Sequence, residues 1–195
     1  MSINDISFMK AGTPRQRLAF AAITSLGILE KLEPHNAVLA GTIPIDVDIE
    51  DSDLDIICEA NDLDDFNTLV LSYFGDCDEF TSYMTSTRGV KSFVARFAFS
   101  GFGFEIFAQN CPIERQYAVV HLLVERRLLE IGGDTARDGI RSLKARGLKT
   151  EPAFAKYFGI PGDPYEELVK LVGLSDRELE KFVQSSIDER SFNSL

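Results

Sequence analysis

The residues around Asp53 and Asp55 constrain the fold more than any other part of the chain. Residues 52–58 read SDLDIIC, so two carboxylates stand at the start of a short apolar segment. Side chains alternate between the two faces of a strand; Asp53 and Asp55 therefore share one face, about 6 to 7 Å apart, and Leu54 and Ile56 occupy the other. Two such carboxylates repel each other unless a cation offsets their charge, and hard oxygen ligands suit magnesium or manganese. The segment predicts a core strand that holds Mg²⁺ or Mn²⁺.

The segments on either side of this strand predict further helices and strands. Residues 13–34 open with a Thr-Pro pair and carry apolar residues at helical spacing, which predicts a helix. Residues 37–40 form an apolar run that stops at Gly41 and predicts a strand beside the first. Residues 62–74 begin with an acidic turn, as a helix does, and continue with helical spacing.

The second half of the chain changes from strand to helix patterns. Residues 80–109 are rich in Phe, Thr and Val, and Arg88-Gly89 and Ser100-Gly101 are turn candidates, so we expect hairpin-connected strands. Helical spacing returns after residue 112. We predict an α+β fold in which a mixed or antiparallel sheet flanked by helices occupies residues 1–111. A helical part, residues 112–195, is expected to pack on it.

Further residues extend the predicted site. Residues 104–107 read FEIF, and the large apolar neighbours are a poor environment for an unpaired charge. Glu105 is therefore expected to be the third metal ligand. Gly41 lets the backbone approach a polyphosphate closely, and Thr42 adds a hydroxyl donor. Gly41, Thr42 and Ser52, the last of which fixes the turn before the carboxylate strand, are therefore expected to bind this polyphosphate cofactor.

Composition narrows the class of partner. The formal net charge of -11 and the absence of a long Lys/Arg run make nucleic acid an unlikely partner and favour a small-molecule or protein acceptor. The start of the sequence lacks the pattern of a secretory leader, and no apolar stretch reaches about 18 residues, so we expect a soluble, cytoplasmic protein. Three scattered cysteines predict neither a disulfide framework nor a zinc site.

The order of these motifs resembles the polymerase-beta-like nucleotidyltransferase superfamily. That superfamily combines a glycine-containing strand end, a loop, an Asp-x-Asp strand and a later acidic residue on another strand; Gly41-Thr42, Asp53-Leu54-Asp55 and Glu105 match in order. The segments GTIPI (41–45), SDLDIICE (52–59) and EPAFAK (151–156) are similar to an uncharacterised bacterial domain family within that superfamily.

The resemblance implies a palm domain that uses a nucleoside triphosphate as donor. Two metal ions about 3.5 to 4 Å apart, held by Asp53 and Asp55, would align an acceptor hydroxyl with the α-phosphate. Glu105 would complete the shell of the catalytic ion and accept the hydroxyl proton. Thr42 stands where the superfamily usually has a smaller residue.

Three functions are compatible with these residues. The first is a metal-dependent nucleotidyltransferase with Asp53, Asp55 and Glu105 as catalytic residues. The second is a catalytically inactive, nucleotidyltransferase-like binding or regulatory module. The third is an interaction protein in which the acidic pocket is incidental and the helical half contacts a partner.

Four other charged residues leave alternatives open. His121 and Glu125 lie four apart on a predicted helix, where they form either an ordinary surface pair or part of a cleft. Lys91 and Arg96 lie on predicted strands; they either neutralise phosphates or keep a half-exposed sheet soluble, and we do not place them in the site.

Overall fold

The structure is a computed structural model that describes residues 3–192 and the side chains of residues 3–188. Within this range the chain forms two compact units. The sheet unit takes residues up to 46 and residues 51–119, and the helical unit takes residues 47–50 and residues from 120 onward. The expected boundary at residues 111 and 112 stays a prediction, since the first residues of the following helix group with the sheet.

A five-stranded mixed sheet is the centre of the sheet unit. Its strands follow the order β1-β2-β5-β4-β3; β2 pairs with β5 in parallel, and the other neighbours are antiparallel. The predicted α+β fold class with a mixed sheet and flanking helices is therefore confirmed. The strands are β1 (Val38–Ala40), β2 (Leu54–Glu59), β3 (Asp78–Thr87), β4 (Val90–Phe99) and β5 (Phe102–Gln109).

Local sequence explains the helices of this unit. A capping box between Thr13 and Gln16 starts α1 (Pro14–Leu26), and the Asp62 side chain caps α3 (Leu63–Phe74). The helix predicted to run toward Pro34 is interrupted at Gly27, whose φ of +66° ends α1; a single turn, α2 (Ile28–Lys31), follows.

One face of the sheet forms the main hydrophobic core. Alternation along the strands sends one set of side chains into this core, where Leu54, Ile56, Phe97, Phe104 and Ile106 are all buried. The residues between them, including Asp55, Arg96 and Glu105, point to the opposite face. Sequence alternation thus gives the sheet one apolar face and one face that carries the charged residues.

Two tight turns set the pairing of β3, β4 and β5. Arg88 and Gly89, and likewise Ser100 and Gly101, all have positive φ, which matches the two-residue hairpin turns that follow the twist of a sheet. Both predicted turns are confirmed.

The helical unit contains most of α4 (Tyr117–Ala145) together with α5 (Thr150–Phe158), α6 (Pro164–Lys170) and α7 (Asp176–Phe192). Helix α4 is broken at Gly133, the second of two consecutive glycines, which has φ +64° and ψ -159°. The buried residues of the helical unit include Phe154, Phe158, Leu168 and Leu179. Within residues 3–192, no helix has the length and apolar character needed to cross a membrane.

Candidate functional site

The register of the sheet brings the predicted carboxylates together. Asp55 pairs with Glu105 across the parallel strands β2 and β5, so the two side chains leave the same face as immediate neighbours. Asp53 lies two residues before Asp55 and faces Gly103, the residue two before Glu105; a Cβ atom at Gly103 would lie 3.6 Å from the Asp53 Cβ. Asp53, Asp55 and Glu105 therefore occupy one end of one face of the sheet.

Gly41 makes room for the Asp55 carboxylate. A Cβ atom at position 41 would lie 2.0 Å from Asp55 Oδ2, and Gly41 has φ +74°, a conformation that favours glycine. The sequence assigned this glycine to a close approach of polyphosphate. The structure gives it a different neighbour, the first carboxylate of β2, and its contact with a phosphate stays a prediction.

The other two residues expected to bind the nucleotide contact each other. Thr42 Oγ1 donates a hydrogen bond of 3.2 Å to Ser52 Oγ, which ties the end of β1 to the turn before Asp53. Arg15 Nη2 donates to the Ser52 carbonyl oxygen at 2.9 Å, and Gln16 Nε2 donates to the Ile43 carbonyl oxygen at 3.0 Å. Helix α1 thus fixes both ends of the loop that carries Thr42 and Ser52.

Arg96 contacts one of the predicted carboxylates, although the sequence interpretation did not place it in the site. It pairs with Glu105 across β4 and β5, its Nε donates to Glu105 Oε2 at 2.7 Å, and its Nη2 contacts the same oxygen. The hydrogen bond with Glu105, followed by the negative charge of Glu105, raises the pKa of the Arg96 guanidinium. The predicted turn at Ser100-Gly101 could have revealed this pair. Phe99 pairs with Phe102 across the two-residue turn, and three further steps along each strand bring residue 96 opposite residue 105.

The chemistry of the donor set fits a divalent cation in part. Asp53 is exposed and Asp55 is half-buried, and both are carboxylates on one face, of the kind that Mg²⁺ and Mn²⁺ prefer. Glu105 lies beside Asp55, but Arg96 holds its Oε2. Over the described range, no three side chains of His, Cys, Asp or Glu are arranged to hold one ion. Asp53 and Asp55 suit the ion by their charge and their shared face, and Glu105 would have to exchange its present partner.

A second group of charged residues lies inside the helical unit. His121 and Glu125 are 5% and 4% exposed, so the expectation of an ordinary surface pair is wrong. His121 Nδ1 lies 3.3 Å from Glu151 Oε1 on α5, and His121 Nε2 lies 2.9 Å from the Tyr165 carbonyl oxygen. These partners come from distant parts of the sequence, which is why four-residue spacing along α4 did not predict them.

Burial sets the protonation of this group. Desolvation, then the nearby charge of Glu151, raises the pKa of Glu125 well above its usual value, whereas Lys144 acts in the opposite direction. Glu125 Oε1 has no hydrogen-bond partner among the described residues. For Glu151 burial acts upward, but the hydrogen bond and charge of His121 outweigh it and lower the pKa overall. Glu125 therefore keeps its proton where Glu151 is ionised.

The chain was compared with protein families, curated proteins and solved structures. A family model described as a domain of unknown function (DUF4269) matches residues 21–171. The chain belongs to the DUF4269 family. The matched segment of this DUF4269 member includes all six residues that the sequence predicts for the site. No curated protein matches it.

Solved structures similar to this DUF4269 chain include a poly(U) polymerase, an RNA terminal U-transferase and a protein complex. The Cid1 poly(U) polymerase bound to Mg 3′-dATP is 14% identical, with a TM-score of 0.48, over 84% of this chain and 52% of that chain. A cytoplasmic RNA terminal U-transferase is 14% identical, with a TM-score of 0.46, over 80% and 46%. The GLD-2/RNP-8 complex is 14% identical, with a TM-score of 0.43, over 87% and 73%. The chain spans about half the length of the Cid1 structures that it matches.

Proposed function

We propose that this protein is a metal-dependent nucleotidyltransferase that moves a nucleoside monophosphate from a nucleoside triphosphate to a hydroxyl group. The observation that carries the proposal is the pairing of Asp55 with Glu105 on adjacent parallel strands, with Asp53 on the same face. Three carboxylates at one end of a sheet are otherwise costly, because like charges in close proximity disfavour ionisation.

Each residue of the site has a proposed task. Asp53 and Asp55 bind a divalent cation, and Glu105 joins them when Arg96 leaves it. When bound, Mg²⁺ or Mn²⁺ would neutralise the phosphate oxygens and make the acceptor hydroxyl more acidic. Thr42 and Ser52, already held at the loop by α1, offer hydroxyl donors to the outer phosphates.

The proposed transfer balances as a displacement at phosphorus. The acceptor oxygen forms a bond to the α-phosphorus, and the bond from the α-phosphorus to the oxygen that bridges to the β-phosphate breaks. Pyrophosphate leaves with that electron pair, and the hydroxyl proton passes to Glu105 or to water. Glu105 lies next to Asp55 and would therefore be close to the reacting hydroxyl.

The acceptor remains part of the proposal. The net charge of -11 still favours a small molecule or a protein, because a phosphate backbone is repelled by an acidic surface. The structural comparisons do not support the exclusion of nucleic acid, since two of the similar structures are RNA terminal transferases. An RNA acceptor therefore belongs in the test.

The test is transfer of label from triphosphates labelled at the α-phosphate. The acceptor panel contains sugars, nucleosides, a protein with exposed hydroxyl side chains, and an oligoribonucleotide with a free 3′-hydroxyl. We expect Mg²⁺- or Mn²⁺-dependent label transfer with release of pyrophosphate. Asp55→Asn should lower it by at least about a hundredfold, because this substitution removes a charge that the transition state requires. Glu59→Gln, a matched loss of one carboxylate at the far end of β2, should retain it.

A binding module without turnover is the second candidate, and the contact between Arg96 and Glu105 favours it specifically. If that contact is permanent, the third carboxylate is never available. This function predicts that triphosphate and metal bind to the wild type, that Asp55→Asn abolishes the binding, and that no pyrophosphate is released with any acceptor. Label transfer by the wild type would contradict it.

A further inference from the structure

Arg96 and Glu105 form an asymmetric contact. Nε and Nη2 of Arg96 both converge on Oε2 of Glu105, whereas Oε1 has no hydrogen bond within the described part of the chain. The arginine side chain is 58% exposed and the glutamate side chain 22%. An exposed guanidinium thus reaches inward to a carboxylate that the sheet holds in place.

The charge of Arg96 acts on two of the three carboxylates. Glu105 interacts with Arg96 most strongly, and Asp53 also contributes an attraction. A divalent cation held by the same carboxylates would therefore meet a positive charge already present among them. Arg96 and a metal ion on Glu105 would share the single negative charge of one carboxylate, which cannot be given in full to two cations at once.

We propose that Arg96 is an internal counter-cation that competes with a divalent metal ion for Glu105 and is released to the phosphates of a bound triphosphate. The inference rests on the proposed function and adds its regulation. Metal binding at Glu105 is weak in the free protein and becomes strong once a polyphosphate offers Arg96 another partner. Nucleotide and metal therefore bind cooperatively, which keeps the site from filling with metal alone.

The geometry allows this exchange. A side chain more than half exposed leaves its partner without unfolding the strand that carries it, and surface ion pairs of this kind contribute little to stability. Phosphate oxygens match the planar fork of a guanidinium at least as well as a carboxylate does. Two donors on a single carboxylate oxygen also leave the two-oxygen arrangement, the more favourable one for arginine, unused.

The experiment measures Mn²⁺ binding by calorimetry and by the electron paramagnetic resonance of free Mn²⁺, with no acceptor present. Arg96→Gln is compared with the wild type, Arg96→Lys and Lys91→Gln. Lys91 is the matched control: it lies on the same strand and carries the same charge. It is five residues away, hence on the opposite face, and its neighbour is Asp64 at 3.8 Å. Circular dichroism and the melting temperature verify that each variant is folded.

We expect Arg96→Gln to bind Mn²⁺ more tightly than the wild type by on the order of tenfold, the effect of removing one nearby positive charge from a solvated site. Lys91→Gln should match the wild type. Arg96→Lys should fall between, because it keeps the charge but loses the fork. Adding a non-hydrolysable triphosphate should tighten Mn²⁺ binding more in the wild type than in Arg96→Gln.

Each other outcome overturns the inference. If Arg96→Gln binds Mn²⁺ as the wild type does, Arg96 does not compete; if it binds more weakly, Arg96 instead positions Glu105 for the metal. Asp55→Asn separates this failure from failure of the proposed function. Mn²⁺ binding that needs Asp55 but ignores Arg96 overturns the inference alone. An absence of Asp55-dependent binding in both the wild type and Arg96→Gln overturns the proposed function together with the inference.

Discussion

Gly41 lies just after β1, where two requirements exclude a side chain. Its φ of +74° is uncommon for other residues, and the carboxylate of Asp55 occupies the space that a Cβ atom would take. A glycine before an Asp-x-Asp strand was recognisable in the sequence. The reason for it was not, because the contact joins residues that are 14 positions apart and become neighbours only when β1 pairs with β2.

We expect Gly41→Ala to destabilise the protein more than Gly89→Ala does. Gly89 has a similar φ of +79°, but an added Cβ would meet nothing within 4 Å among the described residues, so it measures backbone strain alone. Strain should cost about 1 kcal/mol in both variants, and displacement of Asp55 should bring Gly41→Ala to roughly 2 to 4 kcal/mol. Urea unfolding at one pH gives both values. Equal losses would show that the Asp55 carboxylate moves aside without cost.

At the scale of elements, local patterns were predictable and distant pairings were not. Alternation predicted which face Asp53 and Asp55 share, and the turn at Ser100-Gly101 was sufficient to fix the register of β4 against β5. The parallel pairing of β2 with β5 joins segments about 50 residues apart, and no local signal specifies it. Asp55 and Glu105 therefore lie on strands as predicted, whereas the placement of Asp55 beside Glu105 required the structure, and the function of the site stays a prediction.

The buried charged residues of α4 and α5 also make contacts that no local sequence pattern predicts. The Tyr165 carbonyl oxygen accepts only, so Nε2 of His121 is the donor to it, and a proton must also lie between Nδ1 and Glu151. Burial raises the pKa of Glu151, but the hydrogen bond with His121 is the main cause that lowers this pKa overall. Glu125 lies close to this pair, and burial followed by the charge of Glu151 raises its pKa, whereas Lys144 lowers it.

We expect Glu125→Gln to remove a loss of stability that grows with pH. The pKa of Glu125 in the folded protein lies well above its usual 4.5, so above pH 4.5 the unfolded chain releases a proton that the folded chain keeps. Stability then falls as pH rises toward the folded pKa, by about 1.4 kcal/mol per pH unit. The variant and wild type should be closest near pH 4.5, and the variant should be the more stable at pH 8.

Urea unfolding between pH 4.5 and 9 measures this difference. Glu130→Gln is the control, because Glu130 lies on the same helix, is 61% exposed and pairs with Arg126 at the surface. It should follow the pH dependence of the wild type. Parallel curves for Glu125→Gln and wild type would mean that Glu125 is ionised in the folded protein.

At the scale of the whole molecule, membership of the DUF4269 family and the α+β fold are established, and the substrate is what distinguishes the candidate functions. Composition, with a hydrophobic fraction of 45%, is typical of a folded protein, and both units contain buried apolar residues. It could not predict the acceptor, because acceptor pockets are built from variable helices and loops rather than from the shared sheet. The carboxylates of β2 and β5 are common to every version of the proposal.

Thermal unfolding with metal and nucleotide tests these carboxylates most directly. Wild type, Asp53→Ala and the control Glu59→Gln are melted with Mg²⁺ or Mn²⁺ and each nucleoside triphosphate in turn. A ligand at a hundred times its Kd should stabilise the folded protein by about 2.7 kcal/mol, which raises the Tm by roughly 5 to 11 °C at this chain length. We expect that rise in wild type and Glu59→Gln, for at least one triphosphate and only with metal, and its loss in Asp53→Ala. A Tm that does not change under any condition, or that rises equally in Asp53→Ala, would contradict a metal-nucleotide site at these carboxylates.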